Sequence, residues 1–124
     1  MTPTERVKEA ISKIEGVLWV SHGEPEPMPG SDDRLAWIKF GLERSERGWR
    51  AADFIAWACM EDLRRAGYQL LLFPVMPPPW LNEPFDDFRF VLEMLEIPDD
   101  KTKSIAAIAK HIDQWRDEHF QRAP

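Results

Sequence analysis

Cysteine is nearly missing from this chain. Cys59 is the only one in 124 residues, so no intramolecular disulfide can form and the fold has no covalent staple. One free cysteine fits a reducing compartment. Long apolar runs are missing too. None approaches the ~20 residues that cross a bilayer, which excludes a membrane-spanning helix as a reading of the sequence. The opening TPTERVKEAISKIEG is too charged for a signal peptide. The expectation from these absences is a cytoplasmic protein with no membrane partner. Phosphate-binding signatures are also lacking: Gly23 and Gly30 have neither the spacing nor the following Lys-Ser pair of a phosphate loop.

Basic residues are in deficit, 16 against 22 acidic ones, for a net charge of −6. Non-specific nucleic-acid binding needs clustered Lys and Arg. Arg44, Arg47, Arg50, Arg64 and Arg65 are interleaved with Glu43, Glu46, Asp53, Glu61 and Asp62, so their charge is offset locally and nucleic acid is disfavoured as a partner.

What is present is globular. Hydrophobic content is 44% and charged content 31%, and six tryptophans with seven phenylalanines offer a small core bulky rings. The length suits a single domain spanning 1–124, large enough to bury an unassisted core.

Helix signals open the chain. Thr2, Pro3 and Glu5 have the types and spacing of a capping box with proline at the first helical position, Val7, Ala10, Ile11 and Ile14 recur at helical spacing, and Gly16 is a left-handed stop. VLWVSH, 17–22, reads as a strand. The stretch 23–33 reads as a loop stiffened by Pro25, Pro27 and Pro29. RLAWIKFGL, 34–42, fits two templates. Strand alternation sets Leu35, Trp37 and Lys39 against Ala36, Ile38 and Phe40; helical spacing links Leu35, Ile38 and Leu42. Its β-branched and aromatic content favours a strand antiparallel to 17–22. A helix follows over 49–66, ended by Gly67. The run 68–73 is continuously apolar, the pattern of a central strand covered on both faces. Pro74 and Pro77–Pro79 make a stiff elbow into Trp80. Asn82 and Pro84 then suggest a cap, with a helix carrying Phe85, Phe88, Leu92 and Leu95. A last helix runs from about 101 to 121, its stripe Ile105, Ile108, Ala109, Ile112 and Trp115. The fold class expected is α+β: a small, mostly antiparallel sheet of about three strands, with about four helices packed mainly on one face.

Catalytic chemistry is thinly represented. His111, Trp115 and His119 share a helix face, but tryptophan occupies the turn where a second metal-binding histidine belongs, so no metal is expected. His22, Glu24 and Glu26 stand at a strand end and are the only weak catalytic candidates, with His22 as a general base assisted by a carboxylate. No nucleophile motif accompanies them, and no cofactor is implied. Cys59 belongs on an apolar stripe and reads as a buried thiol.

The segment 83–100 is the least generic. Glu83, Asp86, Asp87, Glu93, Glu96, Asp99 and Asp100 face Arg89 alone, so it holds the whole net negative excess. Acidic side chains beside rings suit docking to a protein partner, a basic one above all. The residues expected to make that surface are Trp80, Glu83, Asp86, Asp87, Phe90 and Glu93. The leading expectation is therefore a small non-catalytic binding or adaptor protein, with homodimerisation as a variant of the same idea. The alternative is a small-ligand domain or minor enzyme, with a pocket between the 23–33 loop, His22 and the Pro-Trp elbow.

Overall fold

A computed structural model describes residues 1–81, 84–96 and 104–120, the side chains of 119 and 120 excepted. The elements in chain order are α1 (Pro3–Ser12), β1 (Val17–Pro27), β2 (Arg34–Leu42), α2 (Glu46–Ile55), β3 (Leu70–Pro74), β4 (Phe88–Glu96) and α3 (Ile105–Trp115). Helix α2 continues as a π-helical segment over Ala56–Leu63, and α3 as another over Arg116–Phe120. The fold is α+β: three helices and one antiparallel sheet in the order β1-β2-β4-β3.

The alternation in β2 decides which side is inside. Ala36, Ile38, Phe40 and Leu42 are all buried. Their neighbours across the sheet are Met94, Leu92, Phe90 and Phe88 of β4, so both central strands turn the same parity of residues toward the helices. Val7, Ala10, Ile11 and Ile14 from the α1 region, Ala51, Phe54 and Ile55 from α2, and Ile105, Ile108 and Ile112 from α3 complete one core cluster. Burying a side chain such as Ile38 or Leu92 contributes roughly 1.5–3 kcal/mol.

Local signals hold the helices in place. The Thr2 hydroxyl accepts from the Glu5 amide at 3.1 Å, and the Glu5 carboxylate accepts from the Thr2 amide at 3.0 Å, a complete capping box. Gly16 stops the chain at φ +98°, where a β-carbon would also strike the Arg47 carbonyl. Arg116, buried at the end of α3, donates to the Ala10 carbonyl at 3.0 Å and pairs with Asp113 at 2.7 Å, which ties α3 to α1.

The strand preferred for 34–42 is β2, antiparallel to β1 as expected. Other expectations are corrected. The stretch carrying Phe85, Phe88, Leu92 and Leu95 is not a helix; 88–96 is the central strand β4. Phe88, Phe90, Leu92 and Met94 alternate as cleanly as the other set repeats helically, and pairing with strands on both sides decides between the two periods. The apolar run 68–73 yields an edge strand, β3, at the opposite side of the sheet from β1. It is not covered on both faces. The loop expected from residue 23 begins later: β1 runs on to Pro27, with register irregularities between Val17 and Trp19 and between Gly23 and Glu26. Pro25 falls inside the second, a position an edge strand tolerates because it need not donate to the ladder. The sheet thus has one strand more, and the helical layer one helix fewer, than expected. Residues 82–83, 97–103 and 121–124 lie outside the described residues, with the expected Asn82 cap, Asp99, Asp100 and the ends of the last helix.

Cys59 is fully buried, and that burial pushes its thiol up to about 12. A thiol reagent at about pH 8 should therefore label the native protein only as fast as it opens, and label it promptly once denatured; immediate stoichiometric labelling of native protein would contradict this placement.

Candidate functional site

All three helices feed one core on one face of the sheet. No described helix packs on the other. Alternation and register place there Trp19, Ser21 and Gly23 of β1, Leu35, Trp37, Lys39 and Gly41 of β2, Arg89, Val91, Glu93 and Leu95 of β4, and Leu71 and Phe73 of β3. Trp37, Leu71 and Phe73 are 37%, 54% and 40% exposed. Bulky apolar groups gathered on one exposed surface mark a contact site more often than scattered ones do.

Two glycines shape this face. Trp19 lies directly across from Gly41, and Trp37 directly across from Gly23. A β-carbon on either glycine would collide with the opposing indole. Each ring therefore covers the bare backbone of its partner, and the two pairs run in opposite senses across the β1–β2 ladder.

At the Gly41 end a polar cluster fills the remaining space. The Trp19 indole N–H donates to Asp87 Oδ2 at 2.5 Å, and Arg89 Nε donates to Asp87 Oδ1 at 2.8 Å. The Arg89 guanidinium stacks 3.7 Å from the Phe85 ring centre and 5.6 Å from that of Trp19. Burial would raise the Asp87 carboxyl, but the Arg89 and Trp19 hydrogen bonds and the Arg89 charge outweigh it, and the group is held below its ordinary value.

The residues expected to form a docking surface are divided between places. Trp80 follows the proline elbow and is 82% exposed. Asp86 is exposed in the bend before β4. Asp87 is buried and neutralised by Arg89. Phe90 points to the helix side, stacked on Phe40 with ring centres 6.0 Å apart, while Glu93 lies on the open face. Glu83 is outside the described residues. The residues that sequence reasoning passed over are Trp19, Trp37, Leu71 and Phe73. The signal for Trp37 was in hand, since the alternation of 34–42 opposes it to Ile38 and Phe40.

His22 does meet a carboxylate: its Nε2 is 3.0 Å from Glu24, which also accepts from the Thr2 hydroxyl at 3.0 Å. Glu26 is exposed further along β1. The expected pocket is not assembled there. The 28–33 turn lies beside the Arg34 end of β2, and the elbow follows Pro74 beside Phe90 near its Leu42 end, at opposite ends of the sheet's strands. At the other side of the helical layer His111 Nε2 lies 2.8 Å from Asp62, linking α3 to the π-helical segment. Among the described residues no three His, Cys, Asp or Glu side chains are grouped to hold a metal, and no helix is long and apolar enough to cross a membrane.

Two grooves border the open face. One of about 500 Å³ runs between the 28–33 turn and Leu35, Leu71, Glu93 and Leu95. The other, about 360 Å³, lies under the elbow, where Arg44 donates to the Phe85 carbonyl at 2.9 Å and sits over Phe88. The chain matches no protein-family model, no curated protein and no solved structure.

Gly41→Ala should lower stability by about 1–3 kcal/mol in urea unfolding, because the new methyl must displace the Trp19 ring or the Asp87 carboxylate; an unchanged midpoint would show the two can move aside freely. Asp87 stabilises the fold above its unfolded value of 3.8 and loses that contribution as pH falls through its lower folded value. Wild-type stability should therefore fall more steeply below about pH 4 than that of Asp87→Asn, compared by thermal unfolding over a pH series; parallel curves would contradict the assignment.

Proposed function

We propose that this chain is a small non-catalytic binding or adaptor protein that engages a protein partner, or a second copy of itself, through the open face of its sheet. The observation that carries this reading is the exposure of Trp37, Leu71 and Phe73 on a strand surface that no described helix covers. Apolar burial at such a surface supplies association energy of roughly 25 cal/mol per Å² before ordering costs are subtracted. The exposed Trp80 and Asp86, beside the elbow at the end of β3 and β4, supply an aromatic and acidic rim of the kind that surrounds interface cores.

Rigidity supports the reading as well. The Trp19–Asp87–Arg89 cluster and the two indole-on-glycine pairs fix the floor from which the apolar side chains project. A preorganised surface loses less side-chain freedom on docking than a loop would. The hydroxyl beside the His22–Glu24 pair, that of Thr2, donates to Glu24 and caps α1, a structural use that favours binding over catalysis.

Phe73→Asp places a charge within the exposed apolar set, at a site solvent already reaches. It should weaken partner retention in affinity capture at least tenfold, with the thermal midpoint shifted by no more than about 2–3 °C. Retention at the wild-type level would remove the open face as the docking surface.

A further inference from the structure

The groove under the elbow holds a charge that the fold does not balance. Its apolar walls are Val75, Met76 and Pro77 of the elbow, and Pro84, Phe85 and Phe88 of the chain that enters β4. Three charged side chains join them: Arg44, Asp87 and Arg89. Asp87 and Arg89 cancel each other through their 2.8 Å pair. Arg44 pairs with no carboxylate among the described residues. Glu43, its neighbour in the chain, accepts from the Ser45 hydroxyl at 3.0 Å and lies 3.9 Å from Arg47. Asp86, next to Phe85 in sequence, does not line the groove. A chain of net charge −6 thus keeps one unmatched cation beside an apolar recess.

That cation is held in place. Arg44 donates once, to the Phe85 carbonyl at 2.9 Å, and its guanidinium lies 5.2 Å from the centre of the Phe88 ring. Phe88 is itself packed on Trp49, with ring centres 4.7 Å apart. A guanidinium presents a rigid planar fork of N–H donors, and one bond to a carbonyl leaves most of that fork open.

We propose that this groove binds a small organic monoanion, a carboxylate carried on an aromatic or branched aliphatic body. The carboxylate accepts from Arg44 in the paired geometry that a guanidinium favours, and the body lies against Met76, Phe85 and the prolines. The lining sets this class. A neutral apolar molecule would leave Arg44 unmatched, and a wholly polar anion would gain nothing from the walls. One net positive charge matches a monoanion. A phosphate monoester, close to doubly charged, would bring excess negative charge to the wall that holds Asp87. The volume of about 360 Å³ lies at the lower end of the roughly 300–1,000 Å³ span of small-molecule pockets, which suits one ring on a short chain. Pro74 and Pro77 fix φ along the elbow, so this wall loses little freedom when a ligand arrives. The site is distinct from the docking face, since Trp37, Leu71 and Phe73 are not among its walls.

The probe is 3-phenylpropionate, titrated into protein labelled with carbon-13 at its methionine methyls. Met76 lines this groove, Met28 lines the other one, and Met94 is buried in the core. The ring current of the bound probe should move the Met76 signal with a dissociation constant on the order of 1 mM, while Met28 and Met94 stay in place. The uncharged twin, 3-phenylpropionamide, should bind the parent chain about tenfold more weakly or worse, because it lacks the charge that Arg44 receives. Arg44→Gln can still donate to Phe85 but carries no charge, and should weaken the acid about tenfold with the Met94 signal unmoved. Arg50→Gln removes the same charge from an exposed position of α2 outside the groove and should leave the titration within about twofold of the parent. A Met76 signal that stays still up to about 20 mM acid overturns the site, as does equal binding of acid and amide, or an Arg44→Gln chain that binds like the parent. Equal movement of Met28 and Met76 overturns it too, since that is indiscriminate attachment to apolar surface. The amide comparison uses the parent chain, so it decides the matter even if Arg44→Gln loosens the loop at Phe85.

Discussion

One constraint organises this molecule: β2 has a single inside. Ala36, Ile38, Phe40 and Leu42 all turn the same way, and β2 is paired on both edges, so neither neighbour can choose the other side. Every described helix must then add to the same core. The residues that face away have no helix to meet, and the sheet's second surface is left to whatever small devices the strands themselves provide. Indoles laid over glycines, and a carboxylate held between an indole N–H and a guanidinium, are those devices. They stiffen the surface without hiding its apolar side chains.

The buried aspartate shows how this works energetically. Asp87 loses water on burial, which disfavours its charged form, yet it receives hydrogen bonds from Trp19 and Arg89 that more than compensate. Hydrogen bonds to a charged group are worth about 1.5–3 kcal/mol, more than a neutral pair, provided the geometry is fixed. Gly41 supplies the room and Phe85 the stacking surface for Arg89. Five residues from three separate chain segments thus form one unit that joins β1, β2 and the start of β4.

Much of the architecture is legible in the residues. While 34–42 fits both periods and composition only favours the strand, the capping box at Thr2 and Glu5, the Gly16 stop and the helix before Gly67 follow from local chemistry, because each depends on neighbours in the chain. The strand at 88–96 does not. Phe88 and Leu92 serve a helical period and an alternating one equally, and only ladder partners 16 to 62 residues away decide. The same reason hides the edge position of β3. A run such as LLLF reads as doubly covered, and nothing local reports that the second cover is missing. The expected docking residues are split on that account: a helix at 85–95 would set them on one surface, whereas strand alternation sends Phe90 inward and Glu93 outward. Asp87, which as a string looks like one more surface acid, is buried by Trp19, a residue sixty-eight positions earlier.

The borders of the sheet have their own consequence. β1 breaks register at two places and carries Pro25 and Pro27, while β3 is five residues long and ends in Pro74. Neither margin offers a long flat row of free amides on which another strand could grow. A molecule with grease on one broad surface but blunted rims can stack without polymerising. At both margins, proline and irregular pairing oppose the edge-to-edge growth by which an exposed apolar sheet becomes a fibril.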